Sequence, residues 1–214
     1  MTDWAALAAA KQARYESPHG DLDERGLVRL GNTAYAAGLA LLMARSDDAS
    51  VWLRSAAECW RASWELAGPD AWGRPVGVLK ASLLAGDEAA TAVYARWTIG
   101  LAPGGSPSPI ARYAAALALL AAHRFADAHP VAASLRGRED FPRDVADALA
   151  ALADGDGDGV QAALASVVAS FETRSDYLED VPVADTALVL HVLAGRRGLA
   201  VDLPHSPVLP ADPS

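Results

Sequence analysis

Apolar residues return along this chain at intervals of three and four, in runs that break at short polar turns and then restart. The first long run carries Leu27, Leu30, Ala34, Ala37 and Leu41, the spacing of one face of an α-helix. Breaks fall at Arg45-Ser46-Asp47-Asp48, Ala85-Gly86-Asp87-Glu88, His123-Arg124-Phe125-Ala126 and Asp154-Gly155-Asp156-Gly157, and a second amphipathic run follows each. Units of helix, turn and helix predict an all-α fold of stacked antiparallel helix pairs, either an α-solenoid or a compact helical array. The turns recur at spacings of 40, 38 and 31 residues, counted from Asp47, Asp87, Phe125 and Asp156, so the repeat is loose.

Caps and breakers set the expected boundaries. A short helix over Asp3 to Tyr15 has Thr2 or Asp3 as its cap and ends at Ser17-Pro18-His19-Gly20-Asp21. Helices are then expected over Leu22 to Ala44, and over Ala49 to Ala67 with a stop at Gly68-Pro69. Val76 to Leu84, Glu88 to Leu101, Ile110 to Ala122 and Ala126 to Leu135 follow. Pro142 to Ala153, Val160 to Thr173 and Val183 to Arg197 complete about nine to ten helices. The chain reads as one repeat-like domain over 1–214, with a candidate hinge at 102–109, where Pro103 to Pro109 is rich in Pro, Gly and Ser. After Gly198 an extended, Pro-rich C-terminal strap is expected over 199–214. Its Pro204, Pro207, Pro210 and Pro213 fall every third residue, the spacing of a polyproline ligand, while Val201, Leu203 and Leu209 between them favour packing on the last helices.

Composition agrees with helices and narrows the partners. Hydrophobic residues, led by alanine, make up 52% and charged residues 21%, which excludes a disordered chain. A net charge of −9 argues against nucleic acid, whose phosphates require a basic surface, and against anionic membranes. The expected partner is another protein or peptide of basic charge, or a second copy of the chain in a homodimer. The longest uncharged apolar stretches, Ala34 to Ala44 and Tyr113 to Ala122, reach about half a membrane span. Met1-Thr2-Asp3-Trp4 opens no secretion signal, so a cytoplasmic protein is expected. The single cysteine, Cys59, lies in a helical run and reads as an inert thiol.

Candidate chemistry is sparse. Asp154-Gly155-Asp156-Gly157-Asp158-Gly159 opens like a calcium loop, but Gln161 and Ala165 stand where an apolar residue and a closing carboxylate are required. A tight turn with Asp156 or Asp158 capping the next helix uses the same residues. His19, His123, His129, His191 and His205 form no metal-ligand spacing, and no metal site or cofactor is expected. No nucleophile elbow, P-loop or dinucleotide fingerprint occurs. Glu172, Asp176, Glu179 and Asp180 read as a solvated acidic face before Pro182.

Tryptophan is the more informative residue. Trp52, Trp60 and Trp64 share one predicted helix, with Ala56 completing a stripe at steps of four, and Trp72 and Trp97 follow in the next pair. Such a stripe serves either as core filler among alanines or as the wall of a binding groove, where Trp and Arg are enriched. With Arg54, Arg61, Arg74 and Arg96 close by, the preferred interaction face comprises Trp52, Arg54, Trp60, Arg61, Trp64, Trp72 and Arg74.

Arg124-Phe125-Ala126-Asp127-Ala128, after the small-residue run Tyr113 to Ala122, resembles the turn and second helix of a tetratricopeptide-like repeat. Tyr35-Ala36-Ala37-Gly38-Leu39 followed by Ala56-Ala57-Glu58-Cys59-Trp60 resembles another, so the likeness covers most of the chain. The helical-pair layout, with Tyr177-Leu178-Glu179-Asp180 to Gly198-Leu199-Ala200-Val201, is also similar to the all-α Imm49-type immunity proteins of bacterial polymorphic toxin systems. The first likeness implies a non-enzymatic scaffold whose concave face binds a protein or peptide, and the second implies neutralisation of a toxin by binding. The alternative is a regulator that takes a small molecule or metal in an interhelical pocket near the tryptophans or the Asp154 turn. Catalysis ranks below both, because helical bundles that do chemistry show inward carboxylates and histidines at fixed spacing.

Overall fold

The computed structural model describes residues 2–17, 20 and 22–211. His19 and Pro213, singled out above, lie outside the described residues, which contain ten α-helices and no strand. These are α1 (Trp4–Glu16), α2 (Glu24–Met43), α3 (Ala49–Leu66), α4 (Gly73–Leu84) and α5 (Glu88–Gly100). They continue as α6 (Pro109–Ala121), α7 (Phe125–Arg136), α8 (Arg143–Asp154), α9 (Gly157–Glu172) and α10 (Asp185–Arg197). Every expected helix is present, with ends displaced by a few residues. The largest shifts, of three residues, are at the starts of α4 and α9; α4 starts at Gly73 and takes Pro75 into its first turn, where no intrahelical N–H partner is lost.

Local chemistry explains the boundaries. Asp3, Asp23, Asp87, Ser108 and Asp156 each accept a hydrogen bond from the backbone N–H three residues on, at 2.7–3.4 Å, satisfying a donor that the first turn leaves free. The exits share one device. Arg45, Gly86, His123, Gly155 and Gly198 close α2, α4, α6, α8 and α10 in the left-handed region, at φ 56–80°. After α2, α6, α8 and α10 the following N–H reaches back five residues, as in Ser46 to the Leu41 carbonyl at 2.9 Å and Asp156 to that of Ala151 at 2.9 Å. The loose repeat in the sequence is therefore a repeat of C-terminal caps.

Small residues then let the helices close on one another. A Cβ placed on Gly38 would stand 2.7 Å from Leu53 Cγ, so α2 and α3 meet at a distance only glycine permits. Each helix packs on the next, and α6 is the most enclosed, burying Ala111 and all of Tyr113 to Ala121. One core cluster runs from Ala34 to Leu209 and includes Val201, Val208 and Leu209 of the non-helical C-terminal segment. That segment is tied down by Val208, whose carbonyl accepts from Ala184 N–H at 2.8 Å, and by Ser206, whose hydroxyl donates to Glu172 at 2.6 Å. Helix α10 also returns to pack on α4, α6 and α8, contacts between distant elements that an open solenoid does not make. The array is accordingly compact, and its return brings α10 to α2 and α4.

Candidate functional site

A cavity of about 310 Å³ opens where α2, α4 and the start of α10 converge, lined chiefly by Asn32, Tyr35, Trp60, Arg74, Lys80 and Asp185. Trp60 arrives from α3. Its indole passes between two glycines, where a Cβ on Gly31 would lie 2.7 Å from Cδ1 and one on Gly77 would lie 2.6 Å from Cε3. The indole N–H donates to Asn32 Oδ1 at 3.1 Å, and the ring stacks at a tilt on Tyr35, with centroids 5.1 Å apart. Val28, Val76 and Leu178 complete an apolar wall.

A fixed polar group forms the floor. Asp185 Oδ2 accepts from the Tyr35 hydroxyl at 2.9 Å and from Lys80 Nζ at 2.6 Å. Its Oδ1 accepts from the Thr186 hydroxyl at 3.2 Å, and Lys80 also donates to that hydroxyl at 3.1 Å. The Lys80 and Asp185 side chains are only 13% and 15% exposed, so this ion pair is nearly desolvated. Burial holds the Tyr35 phenol protonated well above its ordinary range, with the Asp185 charge adding to the shift. Tyr113, on α6, is raised by burial and then by Asp185. Its hydroxyl sits buried near Thr186 without a hydrogen bond of normal geometry.

At the rim, Arg74 pairs with Glu24 across α2 and α4, while its Nε is buried without a partner. Leu178 belongs to a 3-10 turn, Leu178–Asp180, whose Glu179 and Asp180 both take positive φ. Glu179 meets Arg14 at 2.7 Å and Lys11 at 3.5 Å, so α1 pins this turn in place. Its side chain is only 14% exposed, which removes Glu179 from the solvated acidic face expected for this stretch. Beyond the Lys80–Asp185 pair a second cavity of about 170 Å³ continues beneath the same turn.

The seven residues expected on an interaction face are divided among separate places. Trp60 and Arg74 line the cleft. Arg61, Trp64 and Trp72 gather with Trp97 in a half-buried aromatic cluster. Trp64 lies 5.3 Å from Trp72 and 6.0 Å from Trp97, and the Arg61 guanidinium sits 4.4 Å over the Trp97 ring. Trp52 packs edge-on against Tyr15 at 5.3 Å and joins α3 to α1, and Arg54 is exposed. Asn32, Tyr35, Lys80 and Asp185 escaped the sequence reading, since 150 residues separate Tyr35 from Asp185 and no local spacing signals the pair.

Elsewhere the sequence candidates resolve into structural roles. Asp156 caps α9 and Asp154 pairs with His129 at 2.5 Å, so the Asp154 turn spends two carboxylates on protein partners. Half-buried His191 has its Nε2 3.1 Å from the Val201 carbonyl. Cys59 is held up by burial and lies 3.8 Å from the Tyr15 hydroxyl, a setting that disfavours the thiolate. No helix among the described residues is long and apolar enough to cross a membrane. Compared with models of protein families, with curated proteins and with solved structures, the chain matches none.

Proposed function

We propose that this protein is a non-enzymatic binding module whose ligand seats in the cleft between α2, α4 and α10. One observation carries this reading. The cleft joins an indole wall to hydrogen-bond donors that the protein leaves unused, a small number of placed polar groups on an apolar surface. Its lysine, its carboxylate and its tyrosine hydroxyl are bonded to one another, which supports binding over catalysis. Titration of the ¹⁵N-labelled chain with a fragment library tests it. Saturable shifts of the Trp60 indole N–H are expected, and a library that leaves this resonance unmoved overturns the reading.

The aromatic cluster favours a second reading, recognition of another protein in the manner of a tetratricopeptide-like scaffold or a toxin-neutralising immunity protein. Three indoles and a guanidinium on one half-buried patch are the residue types enriched at binding hot spots. The acidic net charge supports a basic protein partner, and not nucleic acid. Co-purification from cell extract with Trp64→Ala and Arg61→Ala chains tests this. A stoichiometric partner lost from both folded variants is expected, and retention by both refutes the patch.

A further inference from the structure

We infer that the cleft is built for a small organic monocarboxylate with an aromatic or aliphatic body. This inference rests on the cleft-binding reading above and adds the chemical class of the ligand. The sign comes from an inventory of what the lining has left to offer. On the acceptor side, both Asp185 oxygens are taken, Oδ2 by Tyr35 and Lys80 and Oδ1 by Thr186. Asn32 Oδ1 is taken by the Trp60 N–H. A cationic or donor-rich ligand would find only the second lone pairs of Asp185 Oδ1 and Asn32 Oδ1, each on an atom that already accepts a bond.

The donors are in surplus. Lys80 Nζ has three N–H bonds and uses two, on Asp185 and Thr186. The Asn32 amide nitrogen carries two more, its oxygen being the atom engaged. Arg74 gives one terminal nitrogen to Glu24 and keeps a buried Nε unpartnered. A carboxylate placed among these groups would accept from donors that have no protein partner, and Arg74 offers it a planar, charge-assisted one.

Size and walls fix the remainder. A cavity of about 310 Å³ at the low end of ligand-site volumes admits one small molecule. Trp60, Tyr35, Val28, Val76 and Leu178 supply a surface for a ring or a branched chain. The nearby charges Arg74, Lys80, Glu24 and Asp185 sum to zero, so the preference for an anion comes from the local donors and not from a net field of the cleft.

The test uses the full ¹⁵N-labelled chain and three probes with the same phenylpropyl skeleton: 3-phenylpropionate, its isosteric amide 3-phenylpropanamide, and 3-phenylpropylamine. The Trp60 indole N–H is the reporter, assigned by its loss in Trp60→Phe or, should that chain not fold, by its displacement in Asn32→Ala. The acid is expected to bind about tenfold or more tightly than the amide and the amine. Glu24→Gln, which frees the Arg74 guanidinium, is expected to tighten the acid further. Arg74→Gln is expected to abolish the difference between acid and amide. N-acetylphenylalanine and an acetylated tripeptide ending in phenylalanine then separate a free acid from a peptide C-terminus, with the free acid expected to bind at least as well. Binding of amide or amine as tightly as acid overturns the inference while leaving the cleft as a binding site. Failure of all three probes to move the Trp60 resonance, together with failure of the fragment library, overturns both.

Discussion

The Trp60 ring lies against Gly77 so closely that a methyl group on that glycine would stand 2.6 Å from Cε3, while the indole N–H on the ring's other side donates to Asn32 at 3.1 Å. Two glycines on different helices thus seat the tryptophan that walls the cleft.

Gly77→Ala is expected to destabilise the protein. The overlap costs about 1–3 kcal/mol, against a gain of roughly 1 kcal/mol in helix propensity. A net loss of up to about 2 kcal/mol is expected by denaturant melting, with a changed near-ultraviolet dichroism from the displaced indole. Gly195→Ala on α10, where a Cβ meets nothing within 4 Å, provides the contrast. It should stabilise by about 0.5–1 kcal/mol, and equal effects at the two sites would refute the seating argument.

Removing one member of the Lys80–Asp185 pair leaves the other nearly dry. Lys80→Met alone is expected to cost about 2–4 kcal/mol, slightly below a fully buried pair because each side chain retains some water contact. The double variant Lys80→Met/Asp185→Leu should lose less than the sum of the two single variants. Strict additivity in urea melts would show that the two groups do not interact.

Stability should fall in alkali. Tyr35 and Tyr113 stay protonated in the folded chain at pH values where the unfolded chain ionises, near pH 10. Above that pH the unfolded state has therefore lost protons that the native state keeps, and stability drops by about 1.4 kcal/mol per pH unit for each such tyrosine. Tyr15, pushed up to about 12 by burial and its contact with Cys59, adds to the drop until that pH. Tyrosinate absorbance should accordingly rise in step with unfolding. Tyr113→Phe removes an unpartnered hydroxyl, should alter stability at neutral pH by no more than about 1 kcal/mol, and should flatten the alkaline slope.

His123 closes α6 at φ 56° without being a glycine. His123→Gly is expected to stabilise by about 0.5–1 kcal/mol through relief of that conformation, offset in part by loss of the edge contact with Phe125. A lower melting temperature for this variant would contradict the cap reading.

The Asp154 turn should behave as a cap and not as a calcium loop. Asp156→Ala is expected to cost about 1 kcal/mol, because it removes the acceptor of the Gly159 N–H. Millimolar calcium should leave the melting temperature of the parent chain unchanged, and a rise on addition of calcium would refute this.

Much of the fold could be read from residue order. Helix runs, aspartate caps and glycine stops are local, since each depends on neighbours within five positions, and the ten helices follow from them. Even the loose repeat is local in origin, a recurrence of one C-terminal cap chemistry at Arg45, Gly86, His123 and Gly155. Trp60 and Arg74 were legible as candidates because tryptophan and arginine stand out in an alanine-rich chain. The site itself was not legible. Whether Trp52, Trp60 or Trp64 lines a cleft depends on which helices surround each one, and periodicity within a single helix carries no such information. The return of α10 onto α4 decided that Asp185 meets Tyr35 and Lys80, closing a polar group across distances in sequence that only packing can bridge. Local propensity therefore fixed the elements, and the burial of their small-residue faces against one another fixed which side chains line the cleft.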